Sequence, residues 1–402
     1  MAEFLKVLDY REAKELIIRH FPKRDIEWVS INRCHKRKLA ADIISPEDIP
    51  AFPRSTVDGY AVKAADTFGC SESFQAFLDY KGEVVMGEEP AFTIEPGQCG
   101  WIPTGGMLPA GTDAVVMVEY TEKLTDTILV SRPVAPGENI MQKGEDVSEG
   151  SLLFAEGVTL RAQEIGMLAS LGICEIPVWA PLRVGIISTG DEIIPIDQKP
   201  EGSQVRDINS YTLAISVEEA GGIVKSYPII KDQFDKLQTV VTQALSENDC
   251  ILLSGGSSVG LADYSLDVLL SLPDSQLLFH GIAVKPGKPA MGVRIGDKLV
   301  VGLPGHPVSA LMVFHVLCAS AMGKDEVKKQ EAILTENISS QAGRDDFIPA
   351  YLKREKDIDM VYPLLGKSGL MSILAKADGY LHVPYEKQGI KAGEKVILHL
   401  FE

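Results

Sequence analysis

From about residue 180 the chain repeatedly sets a short, almost wholly apolar run against an amphipathic helical one, and few folds can accommodate that alternation. "RVGIIS", "KSYPII", "CILLSGG" and "KLVVGLP" are separated by "SYTLAISVEEAGG", "DQFDKLQTVVTQALSE" and "ADYSLDVLLSL", and "PVSALMVFHVLCASAM" follows the last. A strand that is apolar at every residue leaves neither face for water, and intervening helices supply the covers. The pattern therefore reads as a parallel sheet between helical layers. In such a sheet ligands bind beyond the carboxyl ends of the strands, near the point where strand order reverses.

The rest of the chain is patterned differently. Residues 1–22 and 27–42 carry helical periodicity, which Pro46, Pro50, Pro53 and Gly59 then break. From there to about 147 come short β-prone runs such as "AVVMVEY" and "TILVSRPV", cut by Gly and Pro, before helical periodicity returns in "RAQEIGMLASLG". The expected architecture is a multidomain α/β chain in four parts. Residues 1–45 and 148–178 make a discontinuous helical domain, 46–147 a β-rich insert, 179–326 the parallel α/β domain, and 327–402 a small C-terminal β-barrel or sandwich.

At 402 residues and 45% hydrophobic, the chain can bury substantial cores. Its formal net charge of -17 opposes nonspecific binding to nucleic acid or to an anionic membrane, so an anionic ligand must be held by a local site. The six cysteines are scattered without a CxxC pair and read as reduced core thiols. "MAEFLKVLDYREAKELIIRH" has the look of a charged amphipathic helix, not a signal peptide, and no apolar run is long enough to span a bilayer. The cytoplasm is the expected compartment.

Four loops leave the strand ends on what should be one rim: "STGDE", Lys231-Asp232, "SGGSSVGLAD" and "LPGHP". The third has Gly255, Gly256 and Gly260, with hydroxyls at Ser254, Ser257 and Ser258, ahead of a helix. Bare amides at a helix start favour an anion such as phosphate. It is not a Walker loop, because Leu261 and Ala262 stand where Lys and a hydroxyl residue would be needed, and Ser257 interrupts GxGxxG. A glycine-rich turn with a helix cap is the other reading.

Asp191, Glu192, Asp232 and Asp263 would crowd the same rim. Two unit charges at about 4 Å repel by roughly 4 kcal/mol at an effective dielectric near 20, and Mg²⁺ with oxygen ligands would relieve this and bridge to phosphate. Each acid alone could equally cap its following helix. "AVKPGKPAMG" sets Lys285 and Lys288 around a Pro-Gly turn, as a clamp for a small oxyanion or as a solvated turn. His306 in "GLPGHPVSA" could be a base or a hydrogen-bonded strut. No cysteine beside a histidine is set as a nucleophile, and covalent catalysis is not expected.

"PRSTVDGYAV", "PTGGMLP", "PGENIMQKGEDV", "STGDEI", "SGGSSVGLADY", "KPGKPAMG" and "GLPGHPVSA" follow one another in the order and spacing of a known family. The chain resembles the molybdopterin molybdotransferases, which include the C-terminal domain of gephyrin, over essentially its whole length. The resemblance implies insertion of molybdenum from molybdate into adenylylated molybdopterin, with Mg²⁺-assisted release of AMP, by an elongated homodimer in molybdenum cofactor biosynthesis. It implies that Asp263, Asp232 and Glu192 handle cation and pyrophosphate. Ser254, Gly255, Gly256, Ser258, Gly260, Pro304, Lys285 and Lys288 would bind substrate, joined by Arg344 and Ser368 from the C-terminal domain. Asp58 and Thr104 would reach the site from the β insert.

Met141 stands where the family commonly has Arg, Gly281 where some relatives have Lys, Ser257 where Val is common, and Ile208 replaces a small polar residue next to Asn209. A tungstate-preferring homologue, a molybdopterin adenylyltransferase and a non-catalytic scaffold are the competing readings. An adenylyltransferase and recipient molybdoenzymes are the implied protein partners.

Overall fold

The computed structural model describes residues 7–255, 264–323 and 327–401. The chain forms two compact units, Ile26–Trp179 and the remainder on either side of it. Within the described residues no helix is long and apolar enough to cross a membrane.

The larger unit opens with α1 (Tyr10–His20), capped by the Asp9 side chain on the Arg11 amide, which turns Ala13 and Ile17 inward one turn apart. After the smaller unit it continues as β1 (Arg183–Ser188), α2 (Asn209–Glu219), β2 (Ile223–Ser226), α3 (Phe234–Glu247), β3 (Cys250–Ser254), α4 (Ser265–Ser271), β4 (Ser275–His280), β5 (Val284–Lys285), β6 (Met291–Ile295), β7 (Lys298–Leu303) and α5 (Pro307–Val313). Six strands form one sheet in the order β2-β1-β3-β7-β6-β4; the first four are parallel, and β6 and β4 run antiparallel to their neighbours.

β3 is buried at all five residues, and its alternating side chains divide between two cores. Cys250 and Leu252 share one with Ala13 and Ile17 of α1 and with Leu213 and Val217 of α2. Ile251 and Leu253 share the other with Leu237, Val241 and Ala244 of α3. A polar residue at either set of positions would face a helix, which is why the strand is apolar from Cys250 to Leu253 and turns polar only at its end, Ser254.

The C-terminal strands are β8 (Lys329–Leu334), β9 (Asp345–Glu355), β10 (Ile358–Pro363), β11 (Gly379–Val383) and β12 (Lys395–Leu400). They pair in the order β9-β10-β8-β12-β11, and β11 pairs with β9 again, closing a five-strand barrel around Leu334, Val361, Leu381 and Leu398. Closure removes exposed strand edges. Short β5 adds parallel to β9, with Val284 opposite Asp345 and Lys285 opposite Asp346. The turn bearing Lys285 and Lys288 is thereby tied to the barrel.

In the smaller unit, Ile26–Ser30 pairs with Glu175–Trp179 and Ile43–Ile44 with Leu152–Phe154, and the helix Ala162–Ser170 packs with them over Cys34, Leu39, Leu160, Leu168 and Ile176. Between these pieces a six-stranded sheet runs from Gly59 to Val130, with Gly59–Val62 paired on both sides. The helix expected over 27–42 is instead a strand to Ser30 followed by one tight turn, Ile31–Arg33. "IEWVS" is β-branched and aromatic, and its pairing with Glu175–Trp179 overrides the weaker helical spacing. Five cysteines are buried thiols as expected, whereas Cys174 is exposed.

Leu213→Ala should cost about 2–5 kcal/mol in urea unfolding, because a fully buried side chain leaves a cavity, while Tyr211→Ala on the same helix, 54% exposed, should stay within about 0.5 kcal/mol. The Lys225 ammonium and the Tyr227 hydroxyl hold the Glu247 carboxyl down from its usual 4.5 to about 2, joining β2 to the end of α3. A carboxyl with a depressed folded-state pKa stabilises the fold above its unfolded value and loses that contribution as pH falls from 4.5 toward 2. Glu247→Gln should therefore flatten the acid limb of a stability-against-pH curve.

Candidate active site at the strand ends

The chain passes from β1 to β2 on one side and then returns to place β3 on the other, so strand order reverses between β1 and β3. Loops leaving those two strands diverge and open a crevice. The parallel register sets Ser188, Ser254 and Leu303 level at the ends of β1, β3 and β7. The Thr189 amide donates to the Ser254 carbonyl at 2.9 Å, and the Gly255 amide to the Leu303 carbonyl at 3.4 Å.

Gly255 is glycine for two reasons. Its φ of +95° lies where side chains are strained, and an added Cβ would sit 2.1 Å from the Thr189 carbonyl oxygen. Gly305, after β7, lies so close that its own Cβ would be 3.8 Å from the Gly255 Cα. Three loop exits thus meet almost backbone to backbone, with Ser254 and Pro304 buried among them.

Polar side chains lace this rim together. Asn209, the first residue of α2, donates through Nδ2 to Ser254 Oγ at 2.6 Å and to the Gly305 carbonyl at 2.9 Å. Its Oδ1 is buried and has no partner among the described residues. Asp207, 6% exposed, accepts from the Ser188 hydroxyl and from the Ser210 amide, both at 3.1 Å. Sequence reasoning singled out neither Asp207 nor Asn209 as a site residue. The available signal was an Asp followed by "INS" at a helix start, the pattern of a capping acid.

The acids after β1 and β2 do come together. Asp232 Oδ1 accepts from the Thr189 hydroxyl at 2.8 Å, the Asp232 amide donates to Asp191 Oδ1 at 3.3 Å, and Lys231 Nζ donates to the Asp191 and Ile193 carbonyls. Glu192 is exposed beside Gly190, where an added Cβ would lie 2.9 Å from its Oε2. Gly256, Ser258, Gly260 and Asp263 lie outside the described residues. Among the described residues, no three His, Cys, Asp or Glu side chains gather closely enough to hold a metal ion.

Lys285 and Lys288 are exposed, on and just after β5. Arg344 immediately precedes β9 and donates from Nε to Asp346 Oδ1 at 2.8 Å. The Ser368 carbonyl accepts from the Val308 amide at 3.2 Å, docking "GKSGL" on the start of α5, and Gly369 approaches His306 there. His306 thus sits at the N-terminal boundary of α5 under a barrel loop.

In the smaller unit, Asp58 Oδ1 accepts from the Thr104 amide at 2.7 Å and from its hydroxyl at 2.9 Å, and these bonds hold the carboxyl below its usual range. Both residues are exposed. Met141 lies beside Arg54, whose Nη2 is 3.4 Å from the Met141 sulfur.

Comparison with known proteins matches three family models in sequence: the MoeA N-terminal region (domain I and II) over residues 8–172, a probable molybdopterin binding domain over 185–324, and the MoeA C-terminal region (domain IV) over 331–401. A putative molybdopterin biosynthesis protein of Methanocaldococcus jannaschii is 36% identical, the match covering 94% of this chain and 93% of that protein. The molybdopterin molybdenumtransferase of Haemophilus influenzae is 32% identical over 98% of each. The crystal structure of the molybdopterin biosynthesis MoeA protein from Pyrococcus horikoshii superposes with a TM-score of 0.86 at 34% identity, covering 98% of this chain and all of that one. With near full-length matches in both sequence and structure, the chain belongs to the MoeA family of molybdopterin molybdenumtransferases.

Proposed function

We propose that the protein is a molybdopterin molybdenumtransferase that takes molybdate and adenylylated molybdopterin, releases AMP and leaves molybdenum on the pterin dithiolene. The observation that carries this reading is the meeting of three loop exits at the switch between β1 and β3, where Gly255 lets the backbone after β3 pack directly against the Thr189 carbonyl. The Ser254 hydroxyl, which accepts from Asn209 and keeps its own hydrogen to donate, suits a phosphate oxygen, and the resemblance in sequence adds Gly256, Ser258 and Gly260 to the same binding set. Pro304, buried at the exit of β7, belongs to the same substrate-binding set.

On the oxyanion side, Lys285, Lys288 and Arg344 supply donors for a tetrahedral dianion, and Ser368 contributes from the barrel loop. The carboxylate oxygens of Asp232 and Glu192 are the ligand chemistry of a hard cation, and Mg²⁺ held there would take phosphate oxygens and Asp263 as further ligands. Such an ion would supply charge neutralisation at the pyrophosphate. Asp232, oriented by the Thr189 hydroxyl, is kept ready to accept on its remaining oxygen. Asp58, fixed by Thr104, serves the same reaction from the β insert. The four-part division at residues 46, 148, 179 and 327, a homodimer, a cytoplasmic setting, and exchange with an adenylyltransferase and recipient molybdoenzymes belong to the same reading.

The experiment is incubation with adenylylated molybdopterin, Mg²⁺ and either molybdate or tungstate, following AMP and pterin-bound metal. AMP release that depends on the oxyanion is expected; a folded protein that binds the pterin yet releases no AMP with either oxyanion would point to a scaffold instead. Lys285→Ala and Lys288→Ala should each raise the oxyanion KM about 10- to 100-fold, the worth of a charge-assisted hydrogen bond, with little change for the pterin. Gly255→Ala should show the reverse, weakening pterin binding most, because its Cβ pushes the loops after β1 and β3 apart.

A further inference from the structure

Asp346 is a carboxylate with 2% of its side chain exposed, and the Arg344 guanidinium is its ion-pair partner. A buried ion pair seldom stabilises a fold more than apolar packing of the same volume would, so its retention calls for another reason. Geometry supplies one. Asp346 takes Nε, the root of the guanidinium, at 2.8 Å, and Arg344 remains about one-third exposed. The terminal pair of nitrogens has no partner among the described residues.

A planar fork fixed at its root surrenders less rotamer freedom when it closes on an oxyanion than a free side chain would. The backbone adds a second constraint. Asp346 stands in register with Lys285 across the parallel β5–β9 pair, so the carboxylate that sets the arginine belongs to the same ladder that carries the lysine turn. The Asp345 amide extends that ladder by donating to the Ala283 carbonyl at 2.9 Å, and its side chain binds His382 at 2.6 Å. Lysines recognise an oxyanion as point charges, without orienting it; a fork of fixed plane does orient it.

We propose that Asp346 is a positioning residue that holds the Arg344 guanidinium to orient a tetrahedral oxyanion beside Lys285 and Lys288. This rests on the reading above that these cations form the oxyanion side of the site. Its contribution is directional, because a carboxylate near an anion subsite can only subtract from the net attraction.

The test measures tungstate binding to the full-length protein by titration calorimetry, together with the oxyanion KM, the pterin KM and kcat for AMP release. Asp346→Asn should weaken tungstate about tenfold and raise the molybdate KM by a similar factor while leaving the pterin KM unchanged. Arg344→Ala should lose at least as much, and adding Asp346→Asn to it should cost nothing more. Arg344→Lys, which keeps the charge and the carboxylate but has no planar fork, should lose about the same tenfold, and this arm stands even where Asp346→Asn folds poorly. Full affinity in Arg344→Lys, additive losses in the double variant, or unchanged tungstate binding in Asp346→Asn would each overturn the positioning role. Unchanged binding and turnover in Arg344→Ala would overturn both this role and the underlying placement of the oxyanion.

Discussion

The parallel ladder joining β1, β3 and β7 is the constraint on which the rest of the site depends. Because Ser188, Ser254 and Leu303 are level across it, three chains turn out of the sheet at one height. Their loops then approach within backbone distance at Gly255 and Gly305, and Asn209 spans from one to the other with a single amide group. A slip of one residue in any of these strands would exchange the two cores as well as the loop heights, so packing and site geometry are specified together. Burial of β3 on both faces is what makes such a slip costly.

A second ladder, β5 with β9, is much shorter and does a different job. It carries no core of its own; it fixes the lysine turn against the barrel and so places cations from two sequence-distant segments, residues 285–288 and 344, along one edge. The docking of the Ser368 carbonyl on the start of α5 makes a second tie between barrel and sheet loops. The loop exits at Ser254 and Gly305 therefore depend on the sheet alone, and the edge bearing Lys285 and Arg344 on the sheet and barrel jointly. In a chain of net charge -17, Lys285, Lys288 and Arg344 make that edge a local exception in charge.

The sheet was the most legible part of the sequence, since a run such as "CILLS" has few alternatives once helices alternate with it. Loop exits at the strand ends followed from that alone. Residues 27–42 were misread because apolar spacing there fits a helix loosely, while the strand it forms is decided by a partner about 150 residues away. The Asp346–Arg344 pair and the Asn209 bridge were not legible either: "GRDDF" and "RDINS" look like ordinary polar turns until the fold brings β5 and Gly305 beside them. Cys174 escaped the core because it lies in the short connection between the helix Ala162–Ser170 and the strand Glu175–Trp179, where the thiol can face water.

The partnerless Oδ1 of Asn209 bears on how tightly the crevice is specified. The neighbouring Gly305 carbonyl can only accept, so it fixes which end of the amide is nitrogen, and the oxygen is left pointing at no donor among the described residues. Leaving a buried acceptor unmet costs about 1–3 kcal/mol, so the two bonds from Nδ2, to Ser254 Oγ and the Gly305 carbonyl, are what hold the amide in place against that cost. Neutral groups at the strand ends and cations on the β5–β9 edge are then complementary devices. The former, Ser254 and Asn209, are buried and bonded to each other, and the latter, Lys285 and Lys288, stand in water.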